Sequence, residues 1–289
     1  MDRYFLDPLQ QQKLAVLETI PTKLRLSLDA GRSETEAEIT SASLVLPQGQ
    51  ALPLPSPELL RLSDERTILV FKDNEWQKWQ HFDPQSGKFY KMVFVAPGKP
   101  HRGKPPTVEI SGVKMHVTKD GDPELDTRNK LRALGPFRGR ALDSCCGLGY
   151  SAIALAGLKS VKEVVTIEKD PAMLALCREN PWSRELFDSE KIRLLRGDAA
   201  EIIAEMPDRS FSAILHDPPR FALAPELYSD EFYRQCWRVL QQRGKLYHYT
   251  GDPNKAHRSS LPERTMERLR KAGFRKTAKA YQGVFAQKR

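Results

Sequence analysis

The sequence predicts an α/β protein: a largely parallel sheet with helices on both faces, ending in an antiparallel hairpin and preceded by a small β-rich domain. Three observations predict it. From Arg140 onward, strand-like runs alternate with helical stretches of about 10 to 15 residues, the pattern of a helix-covered parallel sheet. From Thr22 to about Val95 the runs are short, alternating and separated by Gly, Pro, Asp and Asn, which is a strand-and-turn pattern. Between them, residues 96–106 (APGKPHRGKPP) hold four prolines and two glycines and read as a linker. The expected domains are therefore 1–106, small and β-rich, and 107–289.

The N-terminal runs are KLRLSLDAGR, EAEITSASLVLPQG, RTILVFKDN and KFYKMVFVAPG. After the linker, VEISGVKMHV is extended and DPELDTRNKLRAL is helical. RALDSCC then reads as a strand, SAIALAGL as a helix, EVVTIEKD as a strand, DPAMLALCREN as a helix, and KIRLLRGDA and FSAILHDPP as strands. One long helix is expected over PELYSDEFYRQCWRVLQQRG, then a strand at KLYHYTG and a helix at PERTMERLRKAGF. KTAKAYQ and GVFAQKR close the chain as a hairpin turning near Gly283.

With 289 residues, 40% hydrophobic and 29% charged, the chain can bury a sizeable core and has the composition of a soluble protein. No run approaches the ~18 apolar residues that cross a bilayer. The first twenty residues have no basic segment leading into an apolar one, so no targeting peptide is expected and the location expected is cytoplasmic. Cys145, Cys146, Cys177 and Cys236 form no C-x-x-C pair and meet no paired histidines. Neither a metal site nor a disulfide framework is expected from them. Residues 1–100 and 101–242 are close to neutral, whereas residues 243–289 carry 13 Lys/Arg against 3 Asp/Glu. That segment is either an anion-binding face or a solvated surface.

Ligands of open α/β sheets bind beyond the carboxyl ends of the strands. Four such ends carry polar chemistry. Asp143-Ser144-Cys145-Cys146-Gly147-Leu148-Gly149-Tyr150 is a glycine-rich strand-to-helix turn, where missing side chains let a ligand approach backbone N–H groups. Glu168, followed by Lys169, is placed to accept hydrogen bonds from ribose hydroxyls. Asp198, followed by Ala199, is placed to accept from an adenine amine. His216-Asp217-Pro218-Pro219-Arg220-Phe221 is the fourth end. Its prolines hold the chain extended and remove two donors, leaving carbonyls for a substrate. Gly147 to Ala152 also fits the loose dinucleotide fingerprint G-x-G-x-x-A, with Glu168 about 20 residues on. A nicotinamide site, however, needs neither the Asp four residues before the first glycine nor the D-P-P end, and the chain offers no second half-site.

Taken together, D-S-C-C-G-L-G, I-E-K-D, G-D-A and D-P-P-R resemble the four motifs of class I S-adenosylmethionine-dependent methyltransferases, whose sheet is Rossmann-like. The resemblance covers residues 108–289. GVKMHVTKD, NPWSREL, HDPPRF, ELYSDEFYR and HYTGDPNKAHR further resemble a group of predicted methyltransferases best known from archaea. The resemblance implies S-adenosylmethionine as cofactor. Asp143, Gly147 and Gly149 would surround its methionine part, Glu168 its ribose and Asp198 its adenine, with Cys145, Lys169 and Ala199 as further cofactor-binding residues. Asp217 would sit beside the sulfonium and, with Pro218 and Arg220, form the catalytic end.

D-P-P sites of this class usually continue with an aromatic residue that stacks on the substrate; here Arg220 stands there and Phe221 follows. Arginine favours a carboxylate or phosphate on the acceptor. Enzymes that methylate pyrimidine carbon 5 need a cysteine at a later strand end, where this chain has His248-Tyr249-Thr250-Gly251. His248 and Tyr249 are either pocket lining or structural, and His116 is a weaker candidate. ELYSDEFYRQCWRVLQQRGKL resembles spermidine synthases, so aminopropyl transfer is an alternative, although the loop 216–227 offers only Asp217 and Glu226 as acids. RNA modification or binding is a second alternative. A small-molecule acceptor is favoured over RNA, no membrane partner is expected, and a homodimer stays open.

Overall fold

A computed structural model describes residues 3–97, 103–116, 118, 121–251 and 260–289. The chain divides into two compact units, Met1–Glu124 with Glu179–Trp182, and Leu125–Arg178 with Ser183–Arg289. The first unit contains β1 (Tyr4–Leu6), β2 (Thr22–Leu26), β3 (Thr35–Ile39), β4 (Ser43–Val45), β5 (Ala51–Pro53) and β6 (Leu69–Lys72). β7 (Glu75–Lys78), β8 (Gln80–Asp83), β9 (Lys88–Val93), β10 (Thr107–Ile110) and β11 (Val113–Lys114) follow. They form three antiparallel sheets, β2-β3-β4-β5, β1-β6-β7 and β11-β10-β9-β8. Asp73 and Asn74, both at positive φ, make the tight β6–β7 turn that alternating hydrophobic runs require. Leu6, Leu26, Ile39, Leu44, Leu52, Leu69 and Trp76 fill the core.

The unit boundary differs from the expected 106/107. β10 pairs with β9, Thr107 opposite Val93, so backbone hydrogen bonding carries residues 107–114 into the first unit and the division falls after Glu124. Two short helices, α1 (Pro8–Ala15) and α2 (Pro57–Arg61), were also not expected. Asp7 and Ser56 cap them, each followed by proline at the first helical position, a start signal that the short runs obscured.

In the second unit the sheet order is β14-β13-β12-β15-β16-β18-β17. The strands are β12 (Gly139–Asp143), β13 (Val161–Glu168), β14 (Ile192–Arg196), β15 (Phe211–His216), β16 (Leu240–Tyr249), β17 (Lys276–Ala280) and β18 (Gly283–Gln287). β14 to β16 are parallel; β18 runs antiparallel to both β16 and β17. The helices are α3 (Pro123–Leu134), which starts just before the unit, α4 (Tyr150–Ala156), α5 (Pro171–Glu179), α6 (Glu185–Asp188), α7 (Ala199–Glu205), α8 (Asp230–Val239) and α9 (Leu261–Lys271). Leu142, Val165, Phe211, Ile214, Phe232, Leu246 and Val284 belong to one buried cluster. The chain order turns back between β12 and β15, the switch point where such sheets bind ligands.

Two expectations change here. The single helix over 225–244 is a 3-10 turn (Pro225–Tyr228), an extended Ser229 that caps α8 through Phe232 N–H, and then strand from Leu240. Pairing of Phe211 with Leu240 draws Gln241–Gly244 into β16, so sheet hydrogen bonds end the helix. α7, unexpected between its flanking strands, starts at its cap Asp198.

Candidate active site

At the end of β12 the Asp143 carboxylate is fully buried and accepts hydrogen bonds from Thr166 Oγ1 (2.7 Å) and Ser151 Oγ (3.0 Å). Burial pushes its carboxyl up to about 7, even though both hydroxyls favour the charged form. The turn that follows needs its glycines: Gly147 has φ +55 and Gly149, the cap of α4, φ +80. A Cβ on Gly149 would lie 2.8 Å from Leu186 Cδ2. Cys145 and Cys146 lie in this turn rather than in the strand, and burial pushes both thiols well above their ordinary value.

Glu168, ending β13, bridges this turn to its own strand end. Its Oε2 accepts the Gly147 N–H and its Oε1 the Asp170 N–H, both at 2.8 Å. Burial pushes the carboxyl up to about 7. Each oxygen keeps a lone pair for a hydroxyl donor. Beyond β14, Asp198 Oδ1 caps Ala200 N–H (2.8 Å) and its Oδ2 pairs with the exposed Lys169 Nζ (2.6 Å). Burial pushes Asp198 up, but Lys169 and the Ala200 N–H outweigh it and hold the carboxyl below the usual range. Ala199 is the buried first residue of α7.

At the fourth end, alternation sends neighbours to opposite faces. His216 is buried, its Nδ1 2.6 Å from Ser144 Oγ and its Nε2 2.9 Å from the Leu227 carbonyl. Nε2–H therefore donates to the carbonyl and Nδ1 accepts from serine. Burial pulls this imidazole down to about 4, so it is neutral. His248 is its sheet partner, also fully buried, with Tyr233 Oη at 2.9 Å from Nε2. His116 bonds Thr107 Oγ1 in the first unit.

Asp217 faces the other way, and its Oδ2 receives Lys130 Nζ at 2.6 Å. Pro218 is buried, whereas Pro219 and Arg220 are exposed. The Pro219 carbonyl accepts Tyr228 O–H (2.8 Å), while that of Pro218 has no partner among the described residues. Arg220 makes no ion pair among them, and Phe221 is half exposed, edge-on to Tyr228. The structure thus aligns Asp198, Glu168, Asp143 and Asp217 at the carboxyl ends of four adjacent parallel strands.

Lys130 and Asp126, which Lys130 also bridges at 2.6 Å, were not anticipated. Their i, i+4 spacing on α3 was the available signal, but such pairs usually mark a solvated helix face. Among the described residues, no helix is long and apolar enough to cross a membrane.

A doubly wound sheet with polar groups at these ends defines a Rossmann-like architecture. Residues 141–244 match the model of a methyltransferase domain. The chain is 38% identical over 267 residues to the uncharacterized protein MJ1233 of Methanocaldococcus jannaschii, covering 90% of this chain and 86% of that one. It is 29% identical over 125 residues to polyamine aminopropyltransferase 2 of Streptomyces coelicolor, covering 41% and 23%. The crystal structure of spermidine synthase in complex with the transition-state analogue AdoDATO shares the fold, with TM-score 0.58, 17% identity, and 70% and 71% of the two chains covered. The chain belongs to the class I methyltransferases, in the group that includes the M. jannaschii protein.

Proposed function

We propose that the protein transfers the methyl group of S-adenosylmethionine to a nitrogen of a small, anionic acceptor. The observation that carries this is the row of four carboxylates at adjacent parallel strand ends, inside a segment that matches a methyltransferase domain. These acceptor oxygens suit a cationic group bearing ribose hydroxyls and an adenine amine. When bound, S-adenosylmethionine supplies a methyl group activated by a sulfonium.

Glu168 takes the ribose hydroxyls with the lone pairs left by Gly147 and Asp170, and Lys169 flanks it. Asp198 and Ala199 lie at the adenine. Asp143, Cys145, Gly147 and Gly149 surround the methionine part. Asp217 and the Pro218 carbonyl accept N–H groups of the acceptor and orient it, since positioning supplies most of the rate of an in-line displacement. Arg220, exposed and without an ion pair among the described residues, binds a carboxylate or phosphate of the acceptor.

The test is calorimetric titration with S-adenosylhomocysteine. Wild type binds in the micromolar range, and Glu168→Ala weakens binding at least about tenfold, a loss of about 1.4 kcal/mol. A folded wild-type protein that does not bind, or an unchanged affinity in the variant, sinks the assignment. The likeness to an aminopropyltransferase supports one other reading, which predicts tighter binding of decarboxylated S-adenosylmethionine and its consumption with a polyamine.

A further inference from the structure

Lys130 is a buried cation at the D-P-P end, and it comes from α3, outside the segment matched by the methyltransferase model. Its side chain is 4% exposed. Nζ lies 2.6 Å from Asp126 Oδ2 and 2.6 Å from Asp217 Oδ2, and 4.6 Å from the centre of the Tyr249 ring. Tyr281 Oη donates to Asp126 Oδ1 at 2.9 Å, which holds the more buried carboxylate of the pair. Asp217 is 25% exposed, and only its Oδ2 is engaged; Oδ1 has no partner among the described residues. One oxygen is thus anchored and the other left open.

We propose that Lys130 is a positioning residue of the transfer: it pins Asp217 and keeps it charged, so that the open oxygen accepts an N–H of an amine acceptor. The proposal rests on the methyltransferase reading above. It favours nitrogen over oxygen acceptors for a physical reason. Burial raises the Asp217 carboxyl and the Lys130 ammonium, 2.6 Å away, opposes that rise, so the group is held as a hydrogen-bond acceptor rather than freed to remove an alcohol's proton. A neutral amine needs no base. Its lone pair forms the N–C bond, the C–S electron pair returns to sulfur, and the new ammonium keeps its proton, hydrogen-bonded to Asp217. Two carboxylates around one ammonium leave one negative charge, which stabilises that cation.

The groups facing Asp217 are Lys130 and Asp126 from α3, Asp143 from β12, Tyr247 and Tyr249 from β16, and Tyr281. Without Lys130, Asp217 faces only carboxyls and phenols, and burial then favours its neutral form.

The test uses wild type, Lys130→Met and Lys130→Arg. The probes are S-adenosylhomocysteine and sinefungin, which carries an amine where the donor carries its methyl, titrated from about pH 6 to about pH 8. All three proteins bind S-adenosylhomocysteine within about twofold. Wild type and Lys130→Arg prefer sinefungin by the same ratio at each pH, since Asp143 and Glu168, pushed up to about 7, titrate alike in both. Lys130→Met loses about tenfold of that ratio at the low end and regains it as pH rises and Asp217 ionises.

A ratio in Lys130→Met that matches wild type at every pH overturns the proposal while leaving the donor assignment intact. Failure of wild type to bind S-adenosylhomocysteine overturns both. If Lys130→Met does not fold, the carboxyl resonance of Asp217 in carbon-13-labelled wild type, assigned by its loss in Asp217→Asn, decides. Ionisation throughout this pH range supports the proposal, and titration within it overturns it.

Discussion

Asp143 is the residue at which stability and chemistry conflict. A surface carboxylate at a strand end would cost nothing, but this one is fully buried with two hydroxyls as partners and a carboxyl pushed up to about 7. The folded state therefore holds its proton more tightly than the unfolded chain. Below about pH 4 both states are protonated; as pH rises from about 4 to about 7 the unfolded chain ionises first and stability falls, by up to about 1.4 kcal/mol per pH unit for each such group. Asp143→Asn keeps an acceptor oxygen and cannot ionise. Urea unfolding at about pH 5 and about pH 7 will show wild type losing more stability than the variant over that interval. Equal losses would mean that Asp143 is ionised in the fold.

Among the elements, the β12–α4 turn is tightly constrained. Gly149 adopts φ +80, where a side chain costs about 1 to 2 kcal/mol, and its missing Cβ leaves room for Leu186 of α6. Gly149→Ala will lower unfolding stability by at least that amount. Because part of the loss is the clash, Gly149→Ala with Leu186→Ala will lose less than the two single changes added. Strict additivity would place the whole cost in the backbone. α8 shows the opposite dependence: its hydrophobic face was legible in the sequence, but its end was set by pairing of Leu240 with Phe211.

On the scale of the whole molecule, residues 179–182 belong to the first unit although they lie within the sequence of the second. Trp182 Nε1 donates to the Ala30 carbonyl at 2.9 Å, Trp79 Nε1 to Glu179 Oε2 at 3.1 Å, and the Arg32 guanidinium to the Pro181 carbonyl. Trp182→Phe keeps an aromatic ring and removes one donor, a loss of about 1 kcal/mol. Hydrogen exchange will then show faster opening around Ala30 while amides of β12 and β15 keep their protection. Equal loss in both units would contradict the division.

The alternation of strands and helices, the four polar strand ends and the C-terminal hairpin were legible because hydrophobic period and turn chemistry are local properties of the chain. Asp143, Glu168, Asp198 and Asp217 could be found that way, since each follows an apolar run at a turn. The sequence by itself determined the sheet and which carboxylates stand at its edge. Only the tertiary structure decided that Lys130, 87 residues from Asp217, pairs with it, that residues 107–114 pair into the first unit, and that 179–182 leave the second. Those outcomes depend on which distant groups are buried together, and burial sets both the cost of a charge and the partner that offsets it.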